Sequence, residues 1–249
     1  MARDFTIASS QSIDFGNVTE LVSASNFTYA AWMKRTVSNE FVFLGKGGTA
    51  STEMFLTPFS DGNIYVAVKN GSNPFASVAN NSLDWQRLAM VFDGSLTQVD
   101  RVKLYINGVL QSITGTKTWP TTSHSGTTPF YAGFRDSDNT FAGGNVAEVK
   151  VWDKSLTASE LLSDYYGGYL ARTNLKLCSP LGYGSPEPDY SGSGYAGTLS
   201  NGPTIADHPP IKPQFGADLD FSPYGRFGFF TLCSGGGWWS RWIIINTKK

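Results

Sequence analysis

Val102-Lys103-Leu104-Tyr105-Ile106-Asn107-Gly108-Val109-Leu110 is the stretch that decides the fold class. Val102, Leu104 and Ile106 alternate with Lys103 and Tyr105, which places an apolar row and a mixed row on opposite faces of a half-buried strand. Asn107-Gly108 supplies the two positive-φ residues of a type I′ turn, and Val109-Leu110 begins the return strand. Outward from this hairpin the texture repeats. Apolar and β-branched runs at 27–34, 40–45, 53–57, 64–69, 86–92, 129–134 and 145–152 are separated by Gly, Asn, Asp, Ser and Pro clusters. That spacing predicts an all-β sandwich or barrel. Asp61-Gly62 precedes Ile64-Tyr65-Val66-Ala67-Val68, a run apolar on both faces and expected at the centre of a sheet.

Composition agrees with many strands and turns. Of 249 residues, 27 are Gly and 12 are Pro, while 17 Phe, 11 Tyr and 7 Trp supply flat side chains for a sandwich core. Charged residues make up 16 %, and 19 basic against 20 acidic residues leave a net charge of −1. Without a Lys/Arg run there is no electrostatic footprint for nucleic acid or an anionic membrane, and neither is expected as a partner. The start Met1-Ala2-Arg3-Asp4-Phe5 lacks the apolar core of a signal peptide, and no run approaches the ~18 apolar residues of a membrane span. A soluble chain is expected. Cys178 and Cys233 are isolated, outside any CxxC or Cys/His spacing, and read as free buried thiols.

One helix stands out. Thr157-Ala158-Ser159-Glu160 is a capping box, Leu161, Leu162 and Tyr165 follow at helical spacing, and Gly167-Gly168 ends it. A clip over a sheet is its expected role. Beyond residue 172 the texture changes to the turn-rich 185–194 and the extended Asp207-His208-Pro209-Pro210, and the end carries Phe227, Phe229, Phe230, Trp238, Trp239 and Trp242. We therefore expect a sandwich over 1–172 and an irregular extension over 173–249. Phe229, Phe230, Trp238, Trp239 and Trp242 are its candidate assembly segment, packing on the domain or, preferably, on a neighbouring copy.

Four pieces in a fixed order carry a resemblance: 27–33, Trp85 to Gly94, Val102 to Gly108, and Gly144 to Trp152 with 156–161 after it. Together they resemble the concanavalin A-like lectin/glucanase superfamily, in particular its laminin G-like and pentraxin-like branch. The resemblance implies an antiparallel jelly-roll β-sandwich. Residues 189–203 are also similar to a laminin G-type element, and with the 207–211 run they resemble laminin G-like proteins of tailed bacteriophages. It implies a non-catalytic structural or decoration protein of a virion, partnered by other virion proteins or copies of itself. The alternative is a glycan-binding adhesion module for surface attachment.

The site residues follow from chemistry and from the resemblance. Glucanases of the superfamily place alternating carboxylates on one strand. Here the corresponding strand reads Glu148, Lys150, Trp152, so no catalytic residue is assigned and the chain is not expected to be an enzyme. His124 and His208 sit in no nucleophile or zinc pattern. Pentraxin-like members bind Ca²⁺ through loop acids and amides, and the matching positions are Asp61, Asn63, Asp136, Asp138 and Asn139. Ca²⁺ as a cofactor is thus an expectation of the resemblance, although the same Asx-rich turns also serve their own backbone. Tyr65 and Trp119, with Tyr131 and Phe141, are candidate glycan-stacking rings by residue type, while Trp32, Trp85 and Trp152 are expected in the core.

Overall fold

The structure, a computed structural model, describes residues 1–37, 41–167 and 172–210. Its strands are, in chain order, β1 (Ala2–Phe5), β2 (Ser12–Asp14), β3 (Asn26–Lys34), β4 (Leu44–Lys46), β5 (Met54–Pro58), β6 (Asn63–Val68), β7 (Phe75–Ala79), β8 (Gln86–Asp93) and β9 (Val102–Ile106). They continue as β10 (Val109–Leu110), β11 (Thr114–Thr116), β12 (Phe130–Ala132), β13 (Phe134–Arg135), β14 (Thr140–Phe141), β15 (Gly144–Trp152), β16 (Leu175–Ser179), β17 (Thr198–Ser200) and β18 (Thr204–Ala206). A single α-helix among the described residues, α1 (Ala158–Tyr165), follows β15.

Two antiparallel sheets face each other. The first runs β10-β9-β8-β3-β15-β1-β18, with β16 also paired to β15. The second runs β11-β7-β6-β5-β4-β12-β2-β17. Neighbours in space are often distant in sequence (β3 lies between β8 and β15), which is the crossing pattern of a jelly roll. Alternation decides what lies between the sheets. Tyr29, Ala31 and Met33 of β3, Leu88, Met90 and Phe92 of β8, and Val102, Leu104 and Ile106 of β9 meet Leu56, Val66, Phe130 and Ala132 of the second sheet in one core. The hairpin turn is as its sequence requires, with Asn107 at φ 54° and Gly108 at φ 79°.

Helix α1 begins with the expected capping box: Thr157 accepts from the Glu160 backbone, and the Glu160 side chain accepts from the Thr157 backbone. Its Leu161 packs with Leu156 on Trp152, Ala30, Ala89, Val91 and Tyr105, on the outer face of the first sheet. Beneath the helix lies a buried charge cluster. Asp164 accepts from Arg87 Nε at 2.6 Å and from Lys150 Nζ at 2.7 Å. Burial alone would raise this carboxyl, but the charges of Arg87 and Lys150 outweigh it and hold its pKa at about 2, against 3.8 ordinarily.

The segment beyond 172 differs from the expected irregular extension. β16, β17 and β18 are hydrogen-bonded into the two sheets, so the sandwich runs through residue 206. Asp189 organises the connection: its carboxylate accepts from the backbone N–H groups of Cys178, Ser191, Gly194 and Tyr195. Glu187, fully buried, pairs with Arg3 Nε at 2.5 Å and accepts from Gly182 N, while the Arg3 guanidinium also donates to the carbonyls of Pro203 and Gly184. A second correction concerns sulfur. Cys178 is disulfide-bonded rather than a free thiol. The expected assembly residues Phe229, Phe230, Trp238, Trp239 and Trp242 lie outside the described residues, as does Cys233. Among the described residues no helix is long and apolar enough to cross a membrane.

Acid tests these buried carboxylates. Asp164 has its folded pKa depressed, so its stabilisation is complete above about pH 5 and is lost as pH falls from there toward 2. This contributes roughly 2 to 3 kcal/mol at neutral pH. Glu53 and Glu148 are also held below the ordinary value against the opposing effect of burial, and add in the same direction. Urea unfolding at pH 7, 6 and 2.5 is expected to give a nearly constant midpoint between the first two and a clear drop at the third. A midpoint that does not fall between pH 6 and 2.5 would contradict the charge cluster.

Candidate functional site

The outer face of the second sheet concentrates aromatic and polar chemistry. Strands β4 to β6 turn Phe55 and Ala67 away from the core, where they pack with Phe43 and with Ala142, just beyond the β13–β14 hairpin. This cover explains why Ile64 to Val68 is apolar on both faces. Two strips of rings flank the cluster. Phe41, Phe59, Tyr65 and Phe75 follow one another at centroid distances of 5.6, 5.8 and 6.2 Å. Tyr131, Phe134 and Phe141 do so at 5.1 and 4.8 Å. Phe75 is 42 % exposed, so this end of the first strip meets solvent.

The hairpin is fastened by Glu53, which is buried. Its carboxylate accepts from Lys69 Nζ at 2.7 Å, from Arg135 Nε and Nη2 at 3.0 and 2.6 Å, and from Ser137 Oγ at 2.7 Å. The Lys69 and Arg135 cations both stand 5.2 Å from the centre of the Phe55 ring, a cation–π arrangement. Burial would raise the Glu53 pKa, but these three hydrogen-bond partners lower it.

Beside this fastening opens a cleft of about 600 Å³ lined by Gly48, Thr49, Thr52, Asn70, His124, Ser125, Gly126, Thr128, Asp136 and Ser137. Five of these carry hydroxyls. A Cβ at Gly47 would lie 2.9 Å from Asp136 Oδ2, so glycine lets the two walls close together, and the Gly48 N–H donates to Asp136 at 3.1 Å. His124 is buried in the wall. Its Nδ1 accepts from Gly126 N at 2.9 Å, which leaves Nε2 as the N–H, and Nε2 has no hydrogen-bond partner among the described residues. Burial and the nearby Lys46 charge lower its pKa and keep the ring neutral. Lys46 itself, fully buried, donates to Asn17 Oδ1 and Thr128 O, and burial lowers its pKa to about 8.

The expected calcium residues do not converge. Asp61 lies in the turn beyond the Pro58–Ile64 end of the β5–β6 pair, where its carboxylate accepts from Asn63 N and from Tyr65 OH. Asp136 sits at the other end, against Gly48 and beside Ser137, which bonds Glu53. A five-residue strand, about 15 Å, separates the two groups. Asp138 pairs with Arg135, and Asn139 adopts the left-handed conformation that closes its turn. No group of three or more His, Cys, Asp or Glu among the described residues is placed to hold a metal ion. The residues present therefore do not fit a shared Ca²⁺ site.

Two further expectations change. Trp119 is wholly buried in the main core and offers no surface to a glycan, whereas Tyr65 is half-buried on the outer face. Trp85, expected in the core, is half-buried on the outside of the first sheet. Glu148 leaves the alternation with Lys150 and Trp152, because a bulge intervenes. Ala147 pairs with Trp32 and Lys150 with Ala30, and Glu148 takes φ 48°. Its carboxylate faces His208 Nε2 at 3.2 Å.

Fold and faces together define a jelly-roll sandwich of the lectin type. Residues 8–162 match a laminin G-like family model, and the chain belongs to the concanavalin A-like lectin/glucanases superfamily. Solved structures agree on the fold. A candidate carbohydrate-binding protein from Bacteroides ovatus superposes with a TM-score of 0.58 at 22 % identity, covering 80 % of this chain and 57 % of that one. The CBM40 of the Ruminococcus gnavus IT-sialidase gives 0.50 at 15 % identity, over 68 % of this chain and 99 % of that one. The NanB sialidase of Streptococcus pneumoniae gives 0.51 at 15 %, over 65 % of this chain and 27 % of its own length. The chain thus spans little more than half of the Bacteroides protein and about a quarter of the sialidase. No curated protein matches the sequence.

Proposed function

We propose that this chain is a non-catalytic carbohydrate-binding domain that takes its glycan in the hydroxyl-lined cleft, with the Tyr65–Phe75 rings as a stacking platform farther along the same face. The cleft carries the reading. Its Thr49, Thr52, Ser125, Thr128 and Ser137 hydroxyls, the Asn70 amide and the Asp136 carboxylate offer donors and acceptors at the density a sugar's hydroxyl groups require. The exposed ring of Phe75 and the half-exposed Tyr65 supply flat faces for a pyranose. The fold likeness to the Bacteroides protein, described as a candidate carbohydrate-binding protein, supports the same reading.

Binding rather than hydrolysis follows from the carboxylates. Hydrolysis needs an acid and a base or nucleophile facing one bond. Glu53, beside the cleft, is committed to Lys69, Arg135 and Ser137 and is held ionised. The phage-particle setting rests on the resemblance carried by residues 189–203 together with the 207–211 run, and no contact among the described residues bears on it.

A glycan array probed with the full chain, followed by calorimetric titration of the best oligosaccharide, tests the proposal. Wild type is expected to bind, with Asn70→Ala and Asp136→Asn each weakening Kd by roughly tenfold, the effect of losing one or two hydrogen bonds. EDTA is expected to leave Kd unchanged, because the acidic loops do not converge. Failure of the wild type to bind any glycan, or unchanged affinity in both variants, would remove the cleft from consideration.

A further inference from the structure

The outer face of the first sheet carries a second cleft, of about 440 Å³, at the end where β3 leaves the sheet and β8 enters it. That size lies within the range of small-molecule sites, about 300–1,000 Å³. Its walls combine rings with polar side chains. Trp85 and Tyr165 are both half-buried and both pack on the cluster around Trp32, Tyr165 at a ring-centroid distance of 5.6 Å. Around them stand Lys34, Asp84, Gln86 and Asn107. The Lys34 ammonium, the Asp84 carboxylate and the Gln86 amide have no partner among the described residues. Asn107 accepts the Arg87 N–H through Oδ1 at 2.9 Å, which leaves its Nδ2 hydrogens uncommitted.

These groups sit on fixed elements. Tyr165 follows Asp164 and Gln86 precedes Arg87, so two sides of the cleft are rooted in the same buried charge cluster. The loop that carries Asp84 is fastened by buried Arg35, which donates to the carbonyls of Phe59 and Asn80 at 2.7 and 3.0 Å. Within that loop the Ser82 hydroxyl accepts from Asp84 N at 3.1 Å. A ligand therefore meets groups already in place and loses little affinity to ordering them.

From this geometry we infer that the cleft is a second glycan-binding site, on the opposite side of the sandwich from the hydroxyl-lined cleft, and that it takes uncharged sugar. That the ligand is a sugar rests on the carbohydrate-binding reading above; the position is independent of it. The Trp85 ring offers a flat face to the C–H side of a pyranose, and the amides of Gln86 and Asn107 supply donors and an acceptor for its hydroxyls. Lys34 and Asp84 select against charge. A sugar hydroxyl can accept from the ammonium and donate to the carboxylate, whereas an anionic or cationic sugar gains one of them and is repelled by the other. With sites on the outer sides of two stacked sheets, one chain can hold two separate glycan strands, which raises avidity on a polymer surface.

Calorimetric titration of the full chain with cellohexaose, maltohexaose, mannohexaose and chitohexaose tests this site. At least one of them is expected to show a binding event that Trp85→Ala abolishes, that Gln86→Ala weakens about tenfold, and that Asp136→Asn leaves unchanged. Gln86→Ala removes no packed ring, so it keeps the test open should Trp85→Ala prove unfolded in urea. Binding that survives both variants at wild-type affinity, but weakens in Asp136→Asn, overturns the second site and leaves the hydroxyl-lined cleft standing. Binding that depends on Trp85 and Gln86 alone upholds the second site and removes the first cleft for that sugar. No binding of any of the four overturns the second site, while the glycan array still decides the first.

Discussion

A chain cut after Arg172 is expected not to fold, whereas a chain ending at Pro210 is expected to unfold cooperatively. The shorter chain loses β16 from the exposed side of β15, β18 from β1 and β17 from β2. It also removes Leu177 and Leu181 from the main core and Leu175 and Cys178 from the cluster under α1. Each buried leucine lost costs about 2–5 kcal/mol, and Arg3, stripped of Glu187, adds a buried unpaired charge worth about 3–5 kcal/mol. Together these approach or exceed the whole stability of an ordinary domain, about 5–15 kcal/mol. The contact is intimate: a Cβ on Gly197 would stand 2.6 Å from Ile13 Cγ2. Urea titrations followed by tryptophan fluorescence and dye binding would show it. The 1–210 chain should give one sigmoidal transition and the 1–172 chain a drifting baseline with bound dye. A sharp transition in the shorter chain would mean that 173–206 merely decorates a finished sandwich.

That outcome bears on what can be read from sequence. The hairpin at 102–110 is legible because its alternation and its Asn-Gly turn are local, and the capping box at 157–160 is legible for the same reason. Strands β17 and β18 are not. Each is three residues long, and their partners lie near the start of the chain, at Ser12–Asp14 and Ala2–Phe5, so no local pattern announces the pairing. The candidate site follows the same rule. Glu53 reads as an ordinary residue before an apolar strand, and it gains meaning only when Arg135 and Ser137, 82 and 84 positions away, close on it. Asp61 shows the converse. Its carboxylate serves Asn63 N two residues on, the turn chemistry that local sequence offers, while the calcium alternative required a partner loop that lies at the other end of β5. Trp119 and Trp85 exchanged their expected places because residue type alone does not say which face of a sandwich a ring occupies.

Asp164→Ala is expected to destabilise the domain by about 3–5 kcal/mol, far more than any exposed ion pair on the same helix. The argument is one of asymmetry. Arg87 is buried, Lys150 is nearly so, and the Asp164 carboxylate neutralises both. Removing it leaves two cations with only the more distant Glu148 carboxylate as counter-charge. The Arg87 contact to the Glu148 carbonyl at 2.7 Å satisfies one N–H but supplies no negative charge. It also unfastens α1 from the sheet, so Leu161 loses its footing on Trp152 and Tyr105. By contrast, Lys154 and Glu160 pair at 2.6 Å with side chains 44 and 30 % exposed, and Lys154→Ala is expected to cost about 0–1 kcal/mol. Asp164→Asn separates charge from shape: it retains an acceptor for Arg87 yet removes the carboxylate paired with the same two cations, and so should fall close to the alanine variant. If Asp164→Asn instead kept wild-type stability in urea, hydrogen bonding rather than charge would hold the helix. The loss of stability in acid would then have to come from other carboxylates held below their ordinary pKa, Glu53, Glu148 and Glu160.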